Sequence, residues 1–183
     1  MRIAHGVTTL SALALVAVGG CATVEGLYGK SSSDIPFILR PPTSESRILE
    51  VQGAGVQIYA CSQKAGQVAT YEWTLSAPDA QLKDASGHVV GRHFAGPTWQ
   101  FDDGSTVIAD VTARVDSPTK SIPWLLLTTR RTTGSGKLAA TGSVLRLHTV
   151  GGVAPAEGCD AANAGKEVRV PYSATYEFYG TRL

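Results

Sequence analysis

Methionine is almost missing from this chain of 183 residues, which holds one, at position 1. Charge is sparse as well. Only 17% of residues are charged and the formal net charge is +1, so there is no basic stripe of the kind a nucleic-acid partner demands. No block of like charges marks a polybasic membrane patch. Beyond Cys21 every apolar run is interrupted by a polar residue or glycine, so none reaches the roughly 20 residues of a spanning helix. Internal repeats and convincing amphipathic helices are absent too. So are the short strings of several familiar chemistries: no CxxC pair, no HExxH zinc helix, no GxSxG elbow, and no GxGxxG after a strand. These absences exclude a nucleotide-binding dehydrogenase, a zincin and an α/β-hydrolase.

Glycine is plentiful, with 20 residues, and valine, threonine and tyrosine cluster between the glycines. That mixture suits strands better than helices. The amino terminus differs from the rest. Arg2 is followed by an apolar stretch from Val7 to Val18, about a dozen residues and within the usual length of a signal-peptide core. Val18-Gly19-Gly20-Cys21 then resembles a lipobox, an aliphatic residue and two small ones before a cysteine. The motif implies cleavage before Cys21 and lipidation of its thiol, with two or three acyl chains giving stable anchoring at about 0.8 kcal/mol per buried CH₂. An ordinary secretory signal, cut near Ala17 and Gly19, is the alternative. Ala22 stands where an aspartate would favour retention at the inner membrane, so the expected site is a bacterial envelope, lipid-anchored at the outer membrane and facing the periplasm.

Three cysteines is an odd number, awkward for an exported chain. With Cys21 acylated, Cys61 and Cys159 remain as an even pair in an oxidising compartment and are expected to form a disulfide. The division that follows is a signal peptide over 1–20, a tether over 21–46 and one domain over 47–183. Within the tether, Ile35 to Leu39 is expected to pack on the domain if any of it does.

Short strand candidates separated by turns fill that domain. They are Ile48–Gln52 and Val56–Cys61 around a Gly53-Ala54-Gly55 hairpin signal, Tyr71–Leu75, Gln81–Lys83, His88–Val90, Trp99–Phe101, Val107–Val115, Pro123–Thr129, Val144–Thr149 and Val168–Phe178. Val107, Ala109, Val111, Ala113 and Val115 alternate with polar residues, the period-two pattern of a half-buried strand. Pro123–Thr129 is continuously apolar, as in a strand buried on both faces. Ala161–Ala164 suits one helical turn capped by Asp160. The expected fold is all-β with little helix: a single-domain β-sandwich or flattened barrel of about nine mainly antiparallel strands.

Several strings, taken together and in order, carry a resemblance. They are Gly91-Arg92-His93-Phe94-Ala95-Gly96-Pro97-Thr98-Trp99 with Asp103-Gly104-Ser105, Val56-Gln57-Ile58-Tyr59-Ala60-Cys61, Pro123-Trp124-Leu125-Leu126-Leu127, Thr149-Val150-Gly151-Gly152 and Val170-Pro171-Tyr172-Ser173-Ala174-Thr175-Tyr176. Over roughly Arg47 to Tyr179 the chain resembles the bacterial and fungal family catalogued as domain of unknown function 3455. The resemblance implies an exported domain with no established activity. Some fungal relatives carry a malate dehydrogenase label, which the missing dinucleotide turn rejects here.

Candidate chemistry centres on His93 and Trp99, where Gly96-Pro97 forces a bend between them. In a binding role the surface around these two residues takes a small molecule, a polymer or a protein. In an enzymatic role Asp102 or Asp103 orients the His93 imidazole, whose ordinary pKa suits proton transfer; a triad with Ser105 rests on proximity alone. The bland alternative has His93 bonded to loop backbone. His88, His93 and His148 have no diagnostic metal spacing, so neither a metal nor any other cofactor is expected. The pair Asp102 and Asp103 occupies an ordinary turn rather than a glycosidase arrangement. Tyr59, Tyr71, Trp73, Trp99, Trp124, Tyr172, Tyr176 and Tyr179 would either line a groove or fill the core. The preferred function is a non-catalytic, envelope-anchored binding module; a hydrolytic or metal-dependent enzyme and a purely structural envelope component are the competitors.

Overall fold

The structure, a computed structural model, describes Met1 and residues 35–181. Eight strands follow in chain order: β1 (Ser46–Gln63), β2 (Tyr71–Lys83), β3 (Val89–Phe94), β4 (Thr98–Phe101), β5 (Thr106–Val115), β6 (Trp124–Thr133), β7 (Thr141–Gly151) and β8 (Glu167–Gly180). Each strand pairs antiparallel with the next, and β8 returns to β1, so the sheet closes into an up-and-down barrel. Closure leaves no long edge to pair with another chain. The fold is therefore all-β, in its barrel form.

The strands number eight, against about nine expected, and the ten candidate segments reduce to eight because two expected breaks are continuous. Gly53-Ala54-Gly55 is no hairpin; β1 runs straight through it. These glycines answer to packing. A Cβ on Gly53 would stand 2.5 Å from the ring of Tyr176, and one on Gly55 would overlap the carbonyl of Asp79 and the backbone of Ala80. Likewise β2 joins two candidate segments through Pro78, which lies opposite Gln57, with a bulge near Ile58 and Tyr59 absorbing the irregularity.

Alternation decides which residues enter the barrel. Val51, Ala80, Leu82, Trp99, Phe101, Val107, Leu127, Val144, Tyr176 and Phe178 belong to the interior cluster. On the outside, Leu145 and Leu147 of β7 pack with Leu126 and Trp124 of β6, so β6 is covered on both faces as its continuous apolar run implies. The lid over this outer patch is Leu39, fully buried in the 3₁₀ turn Phe37–Leu39. The strand β5 departs from its expected pattern. Bulges after Ile108 and Val111 shift its register, so Val107 and Ala109 point inward, Val111 is exposed, and Ala113 and Val115 join the outer patch.

Cys61 and Cys159 form a disulfide with Cα atoms 5.3 Å apart, tying the end of β1 to the segment before β8. That segment holds the 3₁₀ turn Ala161–Asn163, whose first residue follows Asp160; the Asp160 carboxylate accepts from the Asn163 N–H at 3.0 Å. Cys21 and, beyond Met1, the expected leader lie outside the described residues. Among the described residues no helix is long and apolar enough to cross a membrane.

Candidate functional site

His93 and Trp99 face each other across the β3–β4 ladder and both point into the barrel. Their rings stack, centroids 4.4 Å apart and 12° from parallel. Only 3% of His93 and 1% of Trp99 is exposed, so the pair lies beneath the surface rather than on it. The bend at Gly96, with φ +79°, folds β4 back so that the stack can form.

The carboxylates expected to orient His93 do something else. Nδ1 of His93 meets the Thr98 carbonyl at 2.9 Å. A carbonyl only accepts, so Nδ1 carries the proton and Nε2 keeps its lone pair. Burial, with Arg146 adding to it and the Thr98 contact opposing, lowers the His93 pKa from 6.5 to about 3. The ring is neutral at ordinary pH. Asp103 instead ties two turns together: one oxygen accepts from the Ser105 N–H at 2.9 Å and the Ser105 hydroxyl at 2.6 Å, the other from the Lys137 N–H at 2.8 Å. These bonds hold its carboxyl below the usual range. Asp102 is exposed in the same turn, and Ser105 passes its own oxygen to the Leu138 N–H, so no triad assembles with His93.

The three histidines also stay apart. His88 is exposed beside Asp84 on the β2–β3 turn, His93 is interior, and His148, with a left-handed φ of 49°, packs edge-on against Trp124 of the outer patch. Among the described residues no group of three or more histidines, cysteines or acids converges. The aromatics divide as well. Trp99, Tyr172 and Tyr176 belong to the interior, while Trp124 and Tyr179 serve the outer patch and Trp73 donates to the Glu157 carbonyl at 2.9 Å. The exposed face of β3 and β4 carries Arg92, held by two bonds to Gln100 and set 4.9 Å over the Phe94 ring.

Three of the candidate tyrosines, with Arg146 and Gln57 that pattern reading passed over, complete the interior around His93. The Tyr176 ring lies 5.1 Å from it, and the Tyr176 hydroxyl meets that of Tyr172 at 3.1 Å. Arg146 stands opposite Tyr176 on β7, and the phenols of Tyr176, Tyr172 and Tyr59 act on its charge. Tyr59 donates to the Gly152 carbonyl at 2.6 Å. Gln57 shares the inward row of β1 with Tyr59. Two buried donors here, Gln57 Nε2 and Trp99 Nε1, have no hydrogen-bond partner among the described residues. A signal existed in the sequence: Arg146 has the parity of Val144 in a strand whose other face is Leu145 and Leu147, so it had to enter one apolar side or the other. One end of the barrel interior is thus polar, the other hydrocarbon.

No curated protein and no solved structure is significantly similar to this chain. A family model described as protein of unknown function, DUF3455, matches residues 41–180, the whole barrel. By that match the chain belongs to the DUF3455 family.

Proposed function

We propose that this chain is an exported lipoprotein of the bacterial envelope, joined to the membrane through Cys21 and facing the periplasm from the outer membrane, and that its barrel is a non-catalytic binding module. The ligand seat is the polar end of the interior, around His93 and Trp99. The observation that carries the binding role is the pair of unpartnered donors there, Gln57 Nε2 and Trp99 Nε1, each 1% exposed. Buried donors are almost always bonded, and an orphan costs about 1–3 kcal/mol. A ligand oxygen relieves that cost, and the mouths of barrels are common ligand sites. An enzyme built on His93 is less well supported, since backbone rather than a carboxylate orients the ring and its low pKa removes it as a base near neutrality.

Intact-mass spectrometry of the protein released in mild detergent from its own envelope tests both parts. The expected product begins at Cys21, carries diacylglycerol and an amide-linked acyl chain, and holds a second, non-covalent mass that is lost on unfolding. A retained leader or a bare Cys21 sulfur overturns the anchor. Protein that never carries a non-covalent mass overturns the binding role.

A further inference from the structure

We infer that the polar end of the barrel is an oxyanion site anchored by Arg146, taking a small molecule that bears a carboxylate or phosphate group. The inference rests on the binding role above and names the class of ligand.

Register places Arg146 inside. On β7 it sits opposite Tyr176, and its neighbour Val144 sits opposite Phe178, both partners being interior, while Leu145 and Leu147 form the outer patch. Nε donates to the Pro123 carbonyl at 3.1 Å, and the titratable groups that act on the guanidinium are the three phenols of Tyr176, Tyr172 and Tyr59. All of these neighbours are neutral. Among the described residues every ion pair lies elsewhere: Arg47 with Glu50 and Glu177, Lys64 with Glu72, His88 with Asp84, Arg130 with Asp110, and Arg169 with Asp79. A cation partly withdrawn from water without a counter-charge is destabilised, and dipoles offset that only in part.

The hydrogen-bond inventory points the same way, independently of charge. Tyr172 and Tyr176 use one of their two hydroxyl protons on each other, leaving one over. Gln57 offers a buried amide N–H₂ and Trp99 an indole N–H, both unpartnered. These buried donors therefore lack matching acceptors among the described residues. A carboxylate or phosphate is a cluster of acceptors with a negative charge, and a guanidinium fork matches it in two parallel bonds. A neutral ligand could meet the loose donors but would leave the charge uncompensated. Arg146 itself is half-buried rather than sealed, so a small solute has access to it.

The test uses the full lipidated chain in a non-ionic detergent and follows melting temperature and calorimetric binding with benzoate, its neutral isostere benzamide, and inorganic phosphate. Saturable one-to-one binding of benzoate or phosphate is expected, with benzamide at least tenfold weaker. The stronger of the two anions distinguishes a carboxylate source from a phosphate source. Arg146→Met should abolish the anion-induced rise in melting temperature. It should also melt higher than the wild type without ligand, because an uncompensated charge has been removed. Gln57→Leu, which keeps the arginine, should weaken the anion at least tenfold and serves if Arg146→Met does not fold. Equal binding of benzoate and benzamide, or an anion effect that survives in Arg146→Met, overturns the oxyanion assignment while leaving the binding role standing. No binding of any of the three probes, with no non-covalent mass on the native protein, overturns both.

Discussion

At the scale of single residues, His93 has the most specific consequence. Its folded pKa lies near 3 and its ordinary value at 6.5. Between those values the unfolded chain binds a proton that the native ring refuses, so stability is whole above pH 6.5 and falls as pH drops toward 3. The groups around the ring are Arg146 and Tyr176, neither of which changes charge in that window, and Trp99, which does not titrate. Replacing His93 with phenylalanine keeps a ring over Trp99 but leaves the Thr98 carbonyl without its donor. The expected result is a lower melting temperature at pH 7 and a shallower loss of stability from pH 6.5 downward, seen by differential scanning calorimetry across pH. A slope parallel to the wild type would show that the ring is not buried as described. Asp103 makes a contrasting case. Asp103→Ala removes two bonds within its own turn and one to the turn at Lys137 and should lower the melting temperature by several degrees without changing anion binding; a loss of binding instead would return Asp103 to the functional site.

At the scale of elements, β1 carries a position that admits no side chain. Gly55→Val would drive side-chain atoms into the carbonyl of Asp79 and the backbone of Ala80, which cannot rotate aside. A loss of about 3 kcal/mol or more is expected in urea unfolding; a tolerated valine would mean that β1 and β2 are not so close. The same glycines explain where sequence and structure part. Glycine between strand-like segments commonly marks a turn, and nothing local separates that case from a strand pressed against Tyr176. The class of fold and strands β4 to β8 were legible because their apolar pattern and turn residues agree. The bulges of β5 were not, since they depend on partners in β6. His93 and Trp99 were legible as neighbours through the bend at Gly96-Pro97, whereas their burial was not, because inside and outside are assigned only when the sheet closes. The same limit hid Gln57 and Arg146.

At the scale of the whole molecule, a closed barrel joined by a disulfide fits a chain expected to work outside the cytoplasm. The Cys61–Cys159 link spans a sequence separation of 98, and the chain-entropy model gives such a loop about 4–5 kcal/mol. Removing it as Cys61→Ser with Cys159→Ser should lower urea stability by up to that amount while circular dichroism still reports the barrel. An unchanged midpoint would mean the link does not form in the folded protein. The central claim is that a ligand enters the polar end of the barrel, and the indole protons test it directly. Trp99 Nε1 has no partner among the described residues, while Trp73 donates to Glu157 in a distant loop. In a nitrogen–proton correlation spectrum of the labelled protein titrated with benzoate, the Trp99 indole signal should shift and saturate while that of Trp73 stays. A Trp99 signal that does not move when benzoate binds, or a shift confined to Trp73, would contradict the account.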